Sequence, residues 1–199
     1  ISVNEHLKDS FKSDGRLLIY VSETDEFEPR YISVNSGQGF IFGKNIQNWD
    51  KNQNKVFDGS NDWEKTSTWD FNAVPNGVYY IQAFWVQNID SESQSNSPGN
   101  IYSEPVKVDT QETQKIELTF SKTIPQRELE DHELVKFFEM ESKVLSEWWG
   151  KSMGVKASVL LPSGYKSNPR MRYPVRYNVA GYGGRYTRIN SLIKNNEFM

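Results

Sequence analysis

The 199-residue chain carries 23 basic and 26 acidic residues, well mixed, for a net charge of −3. No basic stripe marks nucleic acid as a partner, and no run of 18 apolar residues reads as a membrane span. Cysteine is absent, which excludes disulfides and thiolate sites. Aromatic residues make up 14% of the chain, a proportion that suits a β-rich protein with an aromatic core. The first residue is Ile1 with no signal-like apolar segment before it. That fits either a removed leader or a piece of a longer protein.

Short strands separated by polar turns are predicted from Gly15 to about Phe120. Leu17–Val21 and Phe40–Phe42 are apolar and β-favouring. Pro75-Asn76-Gly77 supplies a fixed φ and then a permissive one, so a strand is expected to begin at Val78 and run to Val86. Residues 91–100, SESQSNSPGN, read as a polar loop. Pro105–Val108 and Lys115–Phe120 alternate apolar with polar residues, the mark of half-buried strands. The regular spacing predicts an all-β, immunoglobulin-like sandwich over residues 1–120, with Leu18, Tyr80, Phe84 or their strand neighbours inward. Residues 121–134 are charged, contain Pro125 and read as a linker.

Leu134, Phe137, Phe138, Leu145, Trp148 and Trp149 recur at helical spacing, which by itself predicts one amphipathic helix. Val155–Leu161 is a predicted strand stopped by Pro162, and Tyr173–Ala180 is the next. Three glycines then fall within four positions, in Gly181-Tyr182-Gly183-Gly184, before an expected helix start at Ile189. A strand, a glycine corner and a helix can aim backbone N–H groups at an anion. A phosphate-binding loop would need Gly-Lys-Ser/Thr, and a dinucleotide fingerprint would need glycine or alanine where Tyr186 stands. An oxyanion hole of the α/β-hydrolase type needs neither. A plain turn is the competing reading.

The stretch VKASVLLPSGYKSNPRMRYPVRYNVAGYGG resembles the front end of the serine esterase family that includes enterochelin esterases and S-formylglutathione hydrolase. KVLSEWWGK is similar to the LLSxFWGR stretch of members bearing an N-terminal β-sandwich, and GVYYIQA and GNIYSEPVKV resemble segments of that sandwich. The resemblance implies a sandwich domain over 1–120 and a linker over 121–134. It further implies the truncated start of an α/β-hydrolase fold over 135–199. It makes 135–141 a strand and 142–149 a short helix, against the periodicity, and we follow the resemblance there. It implies an ester hydrolase acting on a small-molecule or polysaccharide-linked ester. No cofactor or metal is implied, and the setting is periplasmic or secreted. The backbone N–H of Tyr182, with Gly183 beside it, is the implied oxyanion-hole donor.

Departures from the pattern are plain. Ala180 replaces the family's histidine before the corner, and Arg176 and Asn178 interrupt a strand that is usually apolar. No G-x-S-x-G is present, and the two histidines, His6 and His132, lie outside the corner region. The catalytic serine, acid and histidine are therefore expected beyond Met199, and the 199 residues alone are expected to be inactive. The alternative is a non-catalytic sandwich that uses Trp49, Trp63, Trp69 or Trp85 to hold a polysaccharide or a partner domain. For these indoles, packing in the core or between domains is the plainer expectation. Asp50-x-Asn52-x-Asn54 fails as a calcium loop, because Lys55 stands where the sharp turn requires glycine.

Overall fold

The computed structural model describes residues 1–33, 37–59, 62–88, 94–112, 115–168, 170–181 and 184–195. The chain divides into two compact units, Ile1–Gln126 and Arg127–Met199. Strand outweighs helix, 31% against 13%, so the β-rich character expected from composition and alternation is present.

The N-terminal unit contains β1 (Ser2–Val3), β2 (Gly15–Ser22), β3 (Gly39–Ile46), β4 (Glu64–Lys65), β5 (Val78–Val86), β6 (Ile101–Ser103), β7 (Val106–Asp109) and β8 (Thr119–Thr123). They join by hydrogen bonds in the order β1-β8-β6-β5-β2-β3-β4, with β7 also on β5. Strand β5 starts directly after the Pro-Asn-Gly turn. That turn is held by Gly77 N–H donating to Thr110 Oγ1 at 2.9 Å and Thr110 N–H donating to the Gly77 carbonyl at 3.0 Å.

Period-2 alternation sends the two faces of β2 and β5 into two different apolar clusters. Leu17, Ile19 and Val21 join Ala83, Trp85, Phe42 and Phe120 in the larger one, together with Val3 and Leu118. Leu18, Tyr20, Phe84 and Val86 face the other way with Ile124. Trp85 is fully buried; its ring stacks on Phe11 at 5.8 Å and meets Trp49 edge-on at 5.1 Å. Its indole N–H donates to the Lys12 carbonyl at 3.1 Å, so the polar handle is satisfied. Side chains of this kind contribute ~3–5 kcal/mol each against truncation to alanine.

Strands β6 and β7 share one edge of β5, interrupted at Glu104-Pro105. Trp85 lies opposite Ile101, whereas Ile81 lies opposite Val106. The partner offset thus changes by one residue, the mark of a single extra residue in the broken strand. Side chains repair the gap. Ala83 N–H donates to Ser103 Oγ at 3.0 Å, and Gln82 Nε2 donates to the Ser103 carbonyl at 2.8 Å.

Gln82 is completely buried and also joins a charged plug. Its Nε2 donates to Glu28 Oε1 at 2.7 Å, and its Oε1 accepts Arg30 N–H at 3.0 Å. Arg30 Nε lies 3.0 Å from Glu28 Oε1, and the guanidinium sits over the rings of Tyr31 and Tyr102 at 4.1 and 4.2 Å.

The C-terminal unit is built on β9 (Val135–Glu141), α1 (Lys143–Trp149) and β10 (Gly154–Leu160), followed by α2 (Ile189–Leu192). Strands β9 and β10 pair antiparallel from Val135 opposite Leu160 to Glu141 opposite Gly154. The helical spacing over 134–149 therefore belongs to a strand and then a helix. Ser142 makes the break: its Oγ caps α1 by accepting Leu145 N–H at 3.3 Å. Gly150, at φ 62, ends α1 in the left-handed conformation.

The strand expected over Tyr173–Ala180 does not form. Val175, Tyr177 and Val179 are 74%, 87% and 91% exposed. A β-favouring stretch becomes a strand only when another strand takes up its N–H and C=O groups. None does so among the described residues, so the ladder stops at two strands and the start of an α/β-hydrolase sheet is not shown. Arg176 and Asn178 are likewise exposed, so the expected cost of burying Arg176 does not arise. In the other unit the strand expected over Lys115–Phe120 forms later, over Thr119–Thr123, where Ser2 and Val3 pair with Thr119 and Phe120.

Glu28 generates a pH prediction. Burial pushes its carboxyl up, but the hydrogen bonds from Arg30 and Gln82, with the charges of Arg30 and Lys122, bring it below the ordinary 4.5. A depressed native pKa contributes stability that is full well above 4.5 and is lost as pH falls through the native value. Glu28→Gln should lower stability by about 1–2 kcal/mol at pH 7 and flatten the acid limb of the stability curve. Urea unfolding between pH 3 and 7 measures both, and a parallel pair of curves would refute the assignment.

Candidate functional site

The glycine corner lies in the C-terminal unit. Tyr182 and Gly183, the expected donors, lie outside the described residues. Their neighbours define the corner. Gly184 N–H donates to the Gly181 carbonyl at 2.9 Å, which brings the two described ends of the corner together. A Cβ on Gly184 would overlap the Ala180 side chain and come within 2.9 Å of the Gly181 carbonyl oxygen. Gly181 has nothing within 4 Å of the same position. The two glycines thus differ in kind: close approach requires glycine at 184, and no contact requires it at 181.

After the corner, Arg185 is extended, and Tyr186–Arg188 forms one 3-10 turn that runs into α2. Tyr186 anchors this segment to the β9–β10 ladder. Its carbonyl accepts Ser158 Oγ–H at 2.9 Å, and its ring lies 5.3 Å from that of Phe137. Lys156 stands 5.9 Å over the same ring; a hydrogen bond from its ammonium to Glu139, and that carboxylate's charge, hold Lys156 above its ordinary pKa. A second anchor runs from α2 to the start of the unit. Asn190 Nδ2 donates to the Glu128 carbonyl at 2.8 Å, and its Oδ1 accepts Glu130 N–H at 3.1 Å. Lys194 pairs with Glu130 at 2.6 Å.

The two anchors leave a cavity of about 450 Å³ beside the corner, lined by Arg127, Glu128, Gly184, Arg185, Arg188 and Asn190 among others. Sequence reasoning missed this grouping. Arg185 and Arg188, three apart around a tight turn, were a visible signal; Arg127 joins them only through the Asn190 contacts.

The remaining candidates resolve individually. His6 bonds to Asn4 Oδ1 and the Ser121 carbonyl in the N-terminal unit. His132 Nδ1 accepts Leu134 N–H at 3.3 Å. The described residues contain no group of three His, Cys, Asp or Glu side chains able to hold a metal, and no helix among them is long and apolar enough to cross a membrane. Asp50 Oδ1 accepts Asn52 N–H at 2.9 Å, so this carboxylate serves a turn. Trp49 and Trp85 are buried, and Trp63 stacks on Phe71 at 4.7 Å. Only Trp69 of the four is exposed, at 37%, with its ring edge-on to Phe40 at 5.2 Å.

Comparison with protein-family models, curated proteins and solved structures returned no match.

The glycine asymmetry is directly testable. Gly184→Ala forces the corner open at a cost on the order of 1–3 kcal/mol, as overpacking does. Amide exchange at residue 184 and Arg188 should then accelerate about tenfold or more, whereas Gly181→Ala should leave both amides unchanged. Equal exchange in the two variants would show that the Ala180 contact does not hold the corner.

Proposed function

We propose that the chain is the N-terminal part of a serine esterase. In this reading an immunoglobulin-like sandwich precedes the first elements of an α/β-hydrolase domain, whose serine, acid and histidine follow Met199. The substrate is a carboxylic ester, and the setting is periplasmic or secreted. Ester hydrolysis builds negative charge on the carbonyl oxygen, and a fixed backbone donor aimed at it stabilises that charge by about 3–4 kcal/mol. Tyr182 N–H is assigned that role, with Gly183 keeping the approach clear of side chains.

The observation that carries the reading is the bond from Gly184 N–H to the Gly181 carbonyl, with Gly184 close against Ala180 and a helical turn following at once. Such a site requires donors that need not reorganise when charge appears. Uncovered apolar surface in the same unit supports the incomplete-domain part of the reading. Trp148 is 81% exposed on α1, and Phe137, Phe138, Met140, Val155 and Val159 are exposed on the two strands. A two-stranded ladder cannot bury such residues without further layers.

Three outcomes follow. The purified 199-residue chain should not hydrolyse p-nitrophenyl esters above an albumin background; turnover blocked by a serine-directed inhibitor would overturn the downstream nucleophile. Coding DNA beyond Met199 should encode a G-x-S-x-G and a later histidine. In the chain so extended, Gly183→Val should cost about 10²-fold or more in kcat while Tyr182→Phe keeps most activity. Wild-type kcat in folded Gly183→Val would reduce the corner to a turn.

A further inference from the structure

We infer that the cavity beside the corner is an oxyanion-binding site, taking a phosphate or carboxylate group of a small molecule on Arg127, Arg185 and Arg188. Three arginines and one acidic residue, Glu128, are among the residues lining this space of about 450 Å³. Among the described residues none of the three arginines forms an ion pair. Of the acids nearby, Glu130 is paired with Lys194, and Glu128 is a single carboxylate against three arginines, its backbone carbonyl bonded to Asn190. Arg185 is the sharpest case. Its Nη2 is shielded from solvent and has no hydrogen-bond partner, so the guanidinium is partly desolvated without a compensating charge.

A protein does not ordinarily leave a guanidinium in that condition, because partial burial of a charge is costly unless something pairs with it. A bound anion supplies the missing charge. The planar guanidinium presents paired N–H donors that match the oxygen spacing of carboxylate and phosphate, which favours these over spherical anions such as chloride. The frame is also braced from both sides. Asn190 ties the Glu128–Glu130 backbone to α2, and the Arg188 N–H donates to the Arg185 carbonyl at 3.0 Å. The arginines are therefore held together by contacts that do not use their own side chains, leaving those free for a ligand. The inference does not depend on the esterase reading. On that reading the cavity would seat a charged arm of the ester, yet binding is tested without any turnover.

The test is a ¹H–¹⁵N NMR titration of the 199-residue chain with inorganic phosphate and, separately, citrate. Sodium chloride at matched ionic strength is the control, since screening alone shifts exposed charges. Saturable shifts are expected at the amides of Gly184, Arg185, Arg188 and Asn190, with a dissociation constant on the order of 1 mM or tighter. The tighter of the two probes identifies the ligand group as phosphate or carboxylate. Arg185→Gln and Arg188→Gln should each weaken binding about tenfold or more. Lys166→Gln, which removes a charge paired with Glu133 away from the cavity, should leave it unchanged. Shifts reproduced by chloride, or undiminished binding in both arginine variants, would overturn the site.

Discussion

The pairing of β2 with β5 is the constraint on which the N-terminal unit depends. Arg16 through Ser22 lies opposite Val86 through Tyr80 without interruption, so neither strand can slip by one residue without turning its faces inside out. Leu17 and Trp85 would leave the larger cluster, and Leu18 and Phe84 would enter it. Because both faces are apolar, hydrophobicity alone does not set this register. Size and polarity do: the indole of Trp85 requires Phe11, Trp49 and the Lys12 carbonyl, which lie on one side only. The buried Gln82 requires Glu28, Arg30 and Ser103. Shape complementarity and buried hydrogen bonds thereby select one of two pairings that are equally greasy.

Much of this was legible in the residues. Pro75-Asn76-Gly77 marks the start of β5, and the apolar run Leu17–Val21 marks the centre of β2, because local turn chemistry and alternation are written over short windows. What escaped were features that depend on distant partners. Lys115–Leu118 alternates like a strand but pairs only from Thr119, where β1 arrives from the opposite end of the unit. Tyr173–Ala180 has the composition of a strand and remains irregular for want of a neighbour. The helical spacing over 134–149 was misleading because it runs across two elements. Ser142, a good helix cap in the middle of that run, was the local sign of the boundary.

The candidate site was legible to a different depth. Its glycines stand out in sequence, yet only the structure separates Gly184, pressed against Ala180, from Gly181, which faces open space. The arginine grouping could not be seen in the sequence, since Glu128, next to Arg127, is tied to Asn190, close to Arg185 and Arg188, by the asparagine amide. The two units also differ physically. The N-terminal one closes aromatic against aromatic around Trp49 and Trp85, whereas the C-terminal one presents its large apolar side chains outward. Surface of the latter kind is ordinarily committed to contact.

The one-residue change of offset between β6 and β7 has a consequence for how this sequence can vary. Ile101 and Val108 both enter the larger cluster, although an unbroken strand would place residues of odd and even number on opposite faces. The extra residue near Glu104-Pro105 absorbs that mismatch of parity. Loss of a single residue there would remove the bulge and leave Val108 facing the core in a regularly alternating strand, whereas loss of two would keep the odd–even mismatch and demand that a bulge form elsewhere in the strand. Length variation at this point is thus governed by whether the number of residues gained or lost is even or odd, not by how many there are.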